Sequence, residues 1–215
     1  MNRNMPMRGI FITIEGIDGA GKSTQARMLA EWLRERGGDV VLTREPGGTK
    51  LGEHLREVLL DGGAQVGVAA ELLLYVADRA QHVQEVIRPA LNQGRTVVCE
   101  RYTDSTLAYQ GYGRGLDLDF VRRANQFATG DLEPDLTVLL DLPPEVAGQR
   151  LAGTPDRLER EEPAFHARVA QGYRELARTH SARIRVVDAT AAADAVFREV
   201  ARAVEGFLQD REGRE

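Results

Sequence analysis

The chain has 215 residues, of which 42% are hydrophobic and 28% charged. Its 8 prolines and 22 glycines are close to ordinary globular usage and exclude collagen-like and disordered classes. The length predicts one domain over residues 1–215, since no Pro/Gly/Ser-rich linker divides it. A net charge of −5 argues against a binder of nucleic acid polymers, although a few clustered arginines can serve a small anion.

The cysteine count and the hydropathy pattern bear on the compartment. Cys99 is the only cysteine, which excludes an intrachain disulfide framework and a cysteine-rich zinc site. Residues 1–8 are polar and lack the apolar run of a signal peptide, and no segment is as long as a membrane span. We therefore expect a cytoplasmic protein that does not contact membranes.

Short apolar, β-branched runs alternate with segments of helical spacing along the whole chain. The predicted strands are 9–14, 40–43, 94–99, 136–141 and 183–188. The predicted helices include 23–36, 49–60, 69–93 and 193–209. This alternation predicts an α/β fold: a five-stranded parallel sheet with helices on both faces and ligands at the carboxyl ends of the strands.

A phosphate-binding motif follows the first predicted strand. The segment GIDGAGKS fits G-x-x-x-x-G-K-[ST] and opens a helix, so its amides and the helix N-terminus favour phosphate oxygens. Lys22 would neutralise the β- and γ-phosphates, and Ser23 would bind Mg²⁺. The alternative is a glycine-rich turn with an incidental lysine. The ATP-binding candidates here are Gly16, Ile17, Asp18, Gly19, Ala20, Gly21, Lys22, Ser23 and Thr24.

The rest of the chain narrows the class of nucleotide-binding protein. A GTPase would need a base-reading Asn-Lys-x-Asp segment, which the sequence lacks. Motors and transporters normally need a longer chain. The sequence therefore predicts a small phosphotransferase that uses ATP as donor and has a second substrate site.

Five segments together resemble the thymidylate kinase family. They are Asp18 within the P-loop, TREPGGT at 43–49, ADRAQH at 77–82, ERY at 100–102 and STLAYQ at 105–110. The resemblance covers nearly the whole chain. It implies a P-loop NTPase fold, phosphorylation of thymidine monophosphate (dTMP) by ATP with Mg²⁺, and a homodimer.

Two arginines at strand ends are candidates for the acceptor phosphate. Arg44 and Arg101 each follow an apolar strand, so both are expected in the crevice above the sheet. Two guanidinium groups there can hold a phosphate dianion in line with the γ-phosphate of ATP. For either residue alone, the alternative is a surface ion pair.

Tyr75 and Arg79 lie four residues apart on one predicted helix and so share a face. A tyrosine ring can stack on a pyrimidine, and an arginine can donate to thymine carbonyl oxygens. By resemblance, Tyr75 is the stacking aromatic and Arg79 the base reader; a core aromatic is the alternative for Tyr75. His82, one turn on, is interpreted as a hydrogen-bonded helix residue.

Other acceptor contacts follow from the resemblance alone. It places Asp18 at the sugar 3′-hydroxyl and Tyr109 against the 2′ position, with Ser105 and Gln110 as further contacts. A turn-capping carboxylate is the alternative for Asp18. Glu45 and the Pro-Gly-Gly behind it are expected to shape their loop.

Glu100 ends an apolar strand and is the predicted carboxylate partner of Ser23 at Mg²⁺. The family usually has Asp at this position. Asp141 also ends a strand and is an alternative. We favour Glu100 because the adjacent Arg101 ties the same loop to the acceptor.

Residues 150–161 are predicted to form a short lid that keeps water from the phosphates, with Gly153 and Pro155 interrupting two helices. Some family members carry a basic residue at the P-loop position of Gly19, so here the lid should supply that charge. Arg157 is the candidate for the γ-phosphate and Arg150 for adenine. Arg160 is an alternative to either, and a solvated helix-end charge is the alternative for each.

The predicted catalytic set is therefore Lys22, Arg101, Arg157 and Asp18. Two other functions remain open: a kinase for another nucleoside or nucleotide, and a nucleotide-binding module without catalysis. The apolar segments 72–83 and 107–127 could supply a dimer interface, but their periodicity fits an internal core equally well.

Overall fold

A computed structural model of the chain describes residues 8–151 and 154–213. Its strands are β1 (Phe11–Glu15), β2 (Val40–Arg44), β3 (Thr96–Glu100), β4 (Leu136–Asp141) and β5 (Ile184–Asp188). Its helices are α1 (Lys22–Glu35), α2 (Lys50–Leu60), α3 (Val68–His82), α4 (Arg88–Asn92), α5 (Thr103–Thr106), α6 (Leu118–Thr129), α7 (Pro144–Arg150), α8 (Pro163–Thr179) and α9 (Ala193–Glu212). Two π-helical segments cover Val83–Ile87 and Leu107–Gly113.

The strands within these residues form one sheet in the order β2-β3-β1-β4-β5, and every pairing is parallel. The predicted α/β class and five-stranded parallel sheet are confirmed. The chain leaves β1 toward one edge of the sheet and leaves the neighbouring β3 toward the other. The loops that follow β1 and β3 therefore diverge and leave a crevice at the carboxyl ends of the strands.

Helices cover both faces of the sheet because alternate strand residues are buried on opposite sides. Ile12, Ile14 and Val98 belong to the larger apolar cluster, which includes α1, α8 and α9. Phe11 and Val97 belong to a second cluster with the π-helical segment Val83–Ile87 and α4. This double burial holds the strand ends, and hence the crevice loops, in fixed positions.

The predicted helix 69–93 is regular only as far as His82. A π-helical turn follows, and α4 continues after it with Pro89 in its first turn. Proline lacks an N–H, and in a regular helix its ring would clash with the carbonyl of Glu85. The wider turn removes this clash. The other predicted boundaries agree with the observed ones to within a few residues, and those of the strand 136–141 agree at both ends.

The lid candidate lies between α7 and α8. Helix α7 ends at Arg150 and α8 begins at Pro163. The predicted break at Gly153 lies outside the described residues. None of the helices in the described ranges is long and apolar enough to cross a membrane.

Candidate active site

A cavity of about 530 Å³ occupies the crevice at the carboxyl ends of β1, β2 and β3. Most of the side chains predicted from the sequence line it: Asp18, Gly19, Gly21, Lys22, Ser23, Thr24, Arg44, Tyr75, Arg79, Glu100, Arg101, Ser105, Tyr109, Gln110 and Arg150. The predicted residues Gly16, Ile17, Ala20 and Arg157 are absent from its wall. The donor and acceptor candidates therefore share one cavity.

The P-loop runs from the end of β1 to the start of α1. Gly16 has a φ of +143°, and a Cβ there would lie 2.6 Å from the carbonyl oxygen of Leu140, so only glycine fits. Ile17 and Ala20 are buried in the apolar core and anchor the loop from below. Their predicted contribution to ATP binding is thus limited to the backbone.

Lys22 is buried beneath the P-loop. Its Nζ donates to the carbonyl oxygen of Ile17 at 2.8 Å and lies 3.7 Å from Asp18. Burial and the nearby charge of Arg101 lower the pKa of Lys22 to about 8. Protein groups compensate the charge of this buried ammonium incompletely, so it is suited to bind phosphate oxygens.

Arg101 follows β3 with a left-handed backbone, φ +67°, which is uncommon for a residue with a side chain. Its Nη1 donates to the carbonyl oxygen of Gly16 at 3.2 Å and to Ser105 Oγ at 3.1 Å. Its Nη2 donates to Asp18, whose other carboxylate oxygen accepts from the Tyr109 hydroxyl at 2.7 Å. Burial would raise the pKa of Asp18, but Arg101 and Lys22 hold it well below its usual range.

Glu15, which sequence analysis missed, accepts hydrogen bonds from several residues of this region. It is fully buried at the end of β1 and accepts from the Tyr102 backbone N–H at 2.7 Å. It also accepts from the hydroxyls of Ser105 at 2.6 Å and Tyr173 at 2.9 Å. Burial, together with the charge of Asp104, raises the pKa of Glu15 to about 7. A charged residue at the end of an otherwise uncharged strand was the available signal.

Arg79 is 1% exposed, and most of its donors bind protein groups. Nε donates to Glu45 at 2.8 Å, and Nη1 donates to Thr106 and Asn125 at 2.7 and 2.6 Å. Nη2 donates to the Tyr102 carbonyl oxygen at 2.9 Å, which leaves one Nη2 hydrogen without a partner among the described residues. Arg79 and Tyr75 both line the cavity, so the two residues predicted to contact the base are brought together.

The loop after β2 is held by Glu45, as the sequence suggested. Glu45 binds His82 Nδ1 at 2.9 Å in addition to Arg79, and His82 Nε2 lies 2.7 Å from Thr43 Oγ1. A Cβ on Gly48 would lie 2.6 Å from that Thr43 oxygen. His82 is therefore a hydrogen-bonded helix residue, as predicted.

Arg44 and Arg56 lie on the same cavity wall. Arg44 is 49% exposed and pairs with Glu53 at 3.1 Å. It therefore lines the cavity, as expected, and also forms a surface ion pair, which was the alternative. Arg56, on α2, donates to the Pro46 carbonyl oxygen at 3.0 Å. Sequence analysis missed Arg56 because nothing local distinguishes it from other helical arginines.

The predicted metal ligands are a hydroxyl and a carboxylate that share the cavity. Ser23 and Glu100 both line the cavity, and one hydroxyl with one carboxylate suits Mg²⁺, which takes its other ligands from phosphates and water. The alternative, Asp141, pairs with Arg174 at 3.0 Å and lies outside the cavity wall. Among the described residues, no group of three or more His, Cys, Asp or Glu could hold a metal by itself.

The three lid arginines take different positions. Arg150 lines the cavity and donates to the carbonyl oxygens of Ala189 and Thr190, each at 2.8 Å. Arg157 points instead to Glu71 and to the Leu59 carbonyl oxygen, because the buried Glu71 carboxylate attracts it. Arg160 donates to the carbonyl oxygens of Pro155 and Gly62. Neither Arg157 nor Arg160 lines the cavity, and their roles toward ATP stay predictions.

Comparisons with known proteins agree on one family. The family model described as thymidylate kinase matches residues 14–200. The thymidylate kinase of Gloeobacter violaceus is 50% identical over 210 residues, which cover 95% of this chain and 99% of that protein. The thymidylate kinase of Carboxydothermus hydrogenoformans is 52% identical over 209 residues, covering 96% and 100%.

A solved structure agrees with these sequence matches. The crystal structure of thymidylate kinase from Ehrlichia chaffeensis superposes with a TM-score of 0.76 at 38% identity. The match covers 92% of this chain and 99% of that one. Both the sequence and the P-loop α/β fold thus lead to the same conclusion: the chain belongs to the thymidylate kinase family.

Proposed function

We propose that this protein transfers the γ-phosphate of ATP to dTMP, giving dTDP and ADP. The observation that carries the proposal is the single cavity lined by the P-loop lysine Lys22 and by Arg44, Arg56 and Arg101, which come from β2, α2 and the loop after β3. Each of the two nucleotides needs positively charged side chains for its phosphates, and both sets of side chains must face the same cavity. Family membership identifies the acceptor as the thymine nucleotide.

The donor triphosphate would lie along the P-loop and the N-terminus of α1. Gly21 caps that helix in a left-handed conformation, and apart from its chain neighbours no atom of the described residues lies within 4 Å of where its Cβ would be. The backbone amides and the helix dipole favour the β-phosphate there. Lys22 would then exchange part of its contact with Ile17 and Asp18 for phosphate oxygens, while Arg150 faces the nucleoside end.

The acceptor would lie across the cavity. Arg101 would exchange part of its contacts to Gly16, Ser105 and Asp18 for the phosphate oxygens of dTMP, which a planar guanidinium group can bind bidentately. Tyr75 would stack on the thymine, and the free Nη2 hydrogen of Arg79 would donate to a carbonyl oxygen of the base. Cytosine presents a donor amine where thymine presents O4, which disfavours it at this position.

The sugar would meet Asp18 and Tyr109, which are already joined by a 2.7 Å hydrogen bond. Asp18 can accept from a 3′-hydroxyl, and the Tyr109 ring would crowd a 2′-hydroxyl. Ser105 and Gln110 complete this wall of the cavity. The site would thereby favour deoxyribose.

Mg²⁺ would be held by Ser23 and Glu100, and when bound it neutralises charge on the transferred phosphate group. The acceptor phosphate oxygen is already anionic, so attack in line needs no strong base. The chain's own contribution is to align the two phosphates and to present Lys22 and Arg101 to the charge that develops.

A coupled assay of ADP release with and without dTMP tests the proposal. The wild type should release ADP rapidly only when ATP, Mg²⁺ and dTMP are all present. Lys22→Ala should fold but turn over at least about 1000-fold more slowly, since it removes the buried cation of the donor site. Wild-type turnover by folded Lys22→Ala protein would contradict the role given to Lys22.

We also propose that the protein acts as a homodimer in the cytoplasm, where ATP and a reducing environment are found. Phe127 on α6 is 89% exposed, and Phe120 on α6 and Leu73 on α3 are at least half exposed. Helices α3 and α6 pack against each other, and exposed apolar side chains on neighbouring helices favour association. Sedimentation should give a dimer for the wild type and a monomer for Phe127→Asp; a monomeric wild type at assay concentrations would contradict it.

A further inference from the structure

A buried carboxylate outside the cavity gathers side chains from two separate parts of the chain. Glu71, on α3, is fully buried and does not line the cavity. It accepts from Gln110 Nε2 at 2.8 Å and from Arg114 Nε and Nη2 at 3.1 and 3.0 Å. It also pairs with Nη1 of Arg157, which belongs to the lid.

The charge of Glu71 makes these contacts strong. Burial alone would raise its pKa, but the hydrogen bonds from Arg114, Gln110 and Arg157 lower it. Glu71 is therefore an anion at neutral pH, and its hydrogen bonds to both arginines are charge-assisted. Removing either arginine would leave buried charge less well compensated.

The lid is fastened at two points around this carboxylate. Arg157 reaches Glu71 and also donates to the Leu59 carbonyl oxygen at 3.0 Å. Glu161, further along the lid, pairs with Nη1 of Arg114 at 2.6 Å. The lid residues between or beside these points, Asp156, Leu158 and Glu159, line the cavity. Fastening at Arg157 and Glu161 thus decides where the lid wall of the cavity lies.

The same carboxylate fixes a residue of the acceptor wall. Gln110 lines the cavity, and its amide nitrogen is committed to Glu71, which leaves the amide oxygen as its free acceptor. A shift of Glu71 would therefore turn Gln110 and release the lid together. Conversely, a ligand that orders Gln110 favours the docked lid.

We propose that Glu71 is a positioning residue that couples the lid to the acceptor wall by binding Arg157 and Gln110 at once. The inference rests on the proposed kinase function. It assigns Arg157 to docking the lid rather than to contacting the γ-phosphate. An undocked lid would admit water, so ATP would be hydrolysed without transfer.

The test compares Glu71→Gln, Arg157→Met and the double variant with the wild type and with Arg178→Met. Arg178 is a matched control, because it is exposed on α8 and pairs with Glu175. The measurements are kcat, KM for dTMP, and ADP formed per dTDP. Each single variant should raise KM for dTMP about tenfold and yield ADP in excess of dTDP, as expected for a lost charged hydrogen bond.

Two further results complete the expectation. In the double variant, KM for dTMP and the excess of ADP should be no larger than in the more impaired single variant, because both substitutions remove the same contact between Glu71 and Arg157. Arg157→Lys, which keeps the charge, should recover part of the coupling. Melting curves identify any variant that does not fold. If Glu71→Gln does not fold, Arg157→Met, which changes the lid and not α3, provides the test instead.

The coupling would be overturned by a folded Arg157→Met protein with wild-type KM for dTMP and equal yields of ADP and dTDP. It would also be overturned if Arg157→Met lost about 1000-fold in kcat with equal yields while Glu71→Gln did not, since Arg157 would then contact the transferred group. A wild type without dTMP-dependent ADP release would instead contradict the proposed function itself.

Discussion

Asp18 of the P-loop and Arg101 after β3 form an ion pair across the candidate active site. Both residues are largely shielded from solvent, with side chains 22% and 14% exposed. The pair ties the loop proposed to bind ATP to the guanidinium proposed to bind dTMP. Donor and acceptor positions are therefore set relative to each other before either nucleotide binds, which is the alignment that phosphoryl transfer needs.

Replacement of Arg101 should damage acceptor use more than donor use. In Arg101→Lys, a single ammonium replaces the planar group that reaches Gly16, Ser105 and Asp18. We expect kcat/KM for dTMP to fall about 100-fold, with KM for ATP changed less than about threefold. Steady-state kinetics with each substrate varied in turn measure this. An equal rise in KM for ATP and in KM for dTMP would contradict the assignment.

The charge of Lys22 predicts a pH dependence of ATP use. Its pKa is lowered to about 8 by burial and by Arg101, and only the protonated form attracts phosphates. As pH rises through 8, the charged fraction falls, so kcat/KM for ATP should drop toward tenfold per unit. The kcat/KM profile reports the free enzyme and is the profile to measure. A flat profile up to pH 10 would show that Lys22 keeps its charge.

Arg79 should be needed for stability as well as for base recognition. It is buried against Glu45, and its loss in Arg79→Met leaves that carboxylate without its arginine partner. We expect about 3–5 kcal/mol less free energy of unfolding, from urea titrations at pH 7. Arg44→Met, which removes an exposed arginine of the same cavity, should cost less than about 1 kcal/mol. Similar losses of unfolding free energy in Arg79→Met and Arg44→Met would contradict this prediction.

Asp78 should make the fold less stable at higher pH. Its Oδ2 is buried without a hydrogen-bond partner among the described residues, and burial and Glu45 raise its pKa to about 7. The unfolded carboxyl has the lower pKa, so the stability that protonated Asp78 gives is lost as pH rises through 7. The amide of Asp78→Asn does not ionise, so this variant should not lose that stability as pH rises.

Urea titrations at pH 5 and pH 8 compare Asp78→Asn with the wild type. Relative to the wild type, the variant should gain roughly 2 kcal/mol between the two pH values, in line with the shift of this one carboxyl. A variant whose stability relative to the wild type is the same at both values would show that Asp78 ionises normally in the folded protein.

Local sequence signals predicted the sheet, the P-loop and most of the cavity wall. Strand periodicity and the GKS motif depend on neighbouring residues, and parallel strands bring their carboxyl ends to one edge. That geometry was enough to place Arg44, Glu100 and Arg101 in the crevice. Their roles toward substrate remain predictions.

The features that were missed depend on partners far away in sequence. The contact of Arg157 with Glu71 joins residues that are 86 positions apart. Glu15 binds Tyr173 across 158 positions. Arg56 occupies the cavity wall only because α2 packs beside the loop after β2. Such contacts follow from the packing of elements, which a single sequence does not specify.

The most direct measurement of the proposed reaction is ADP release with a panel of acceptors: dTMP, dUMP, dCMP, dGMP and thymidine. If Arg101 binds a phosphate and Arg79 reads thymine, kcat/KM should be highest for dTMP, at least about 100-fold lower for dCMP and dGMP, and negligible for thymidine. Preference for thymidine over dTMP, or equal use of dCMP and dTMP, would contradict this assignment of the acceptor site.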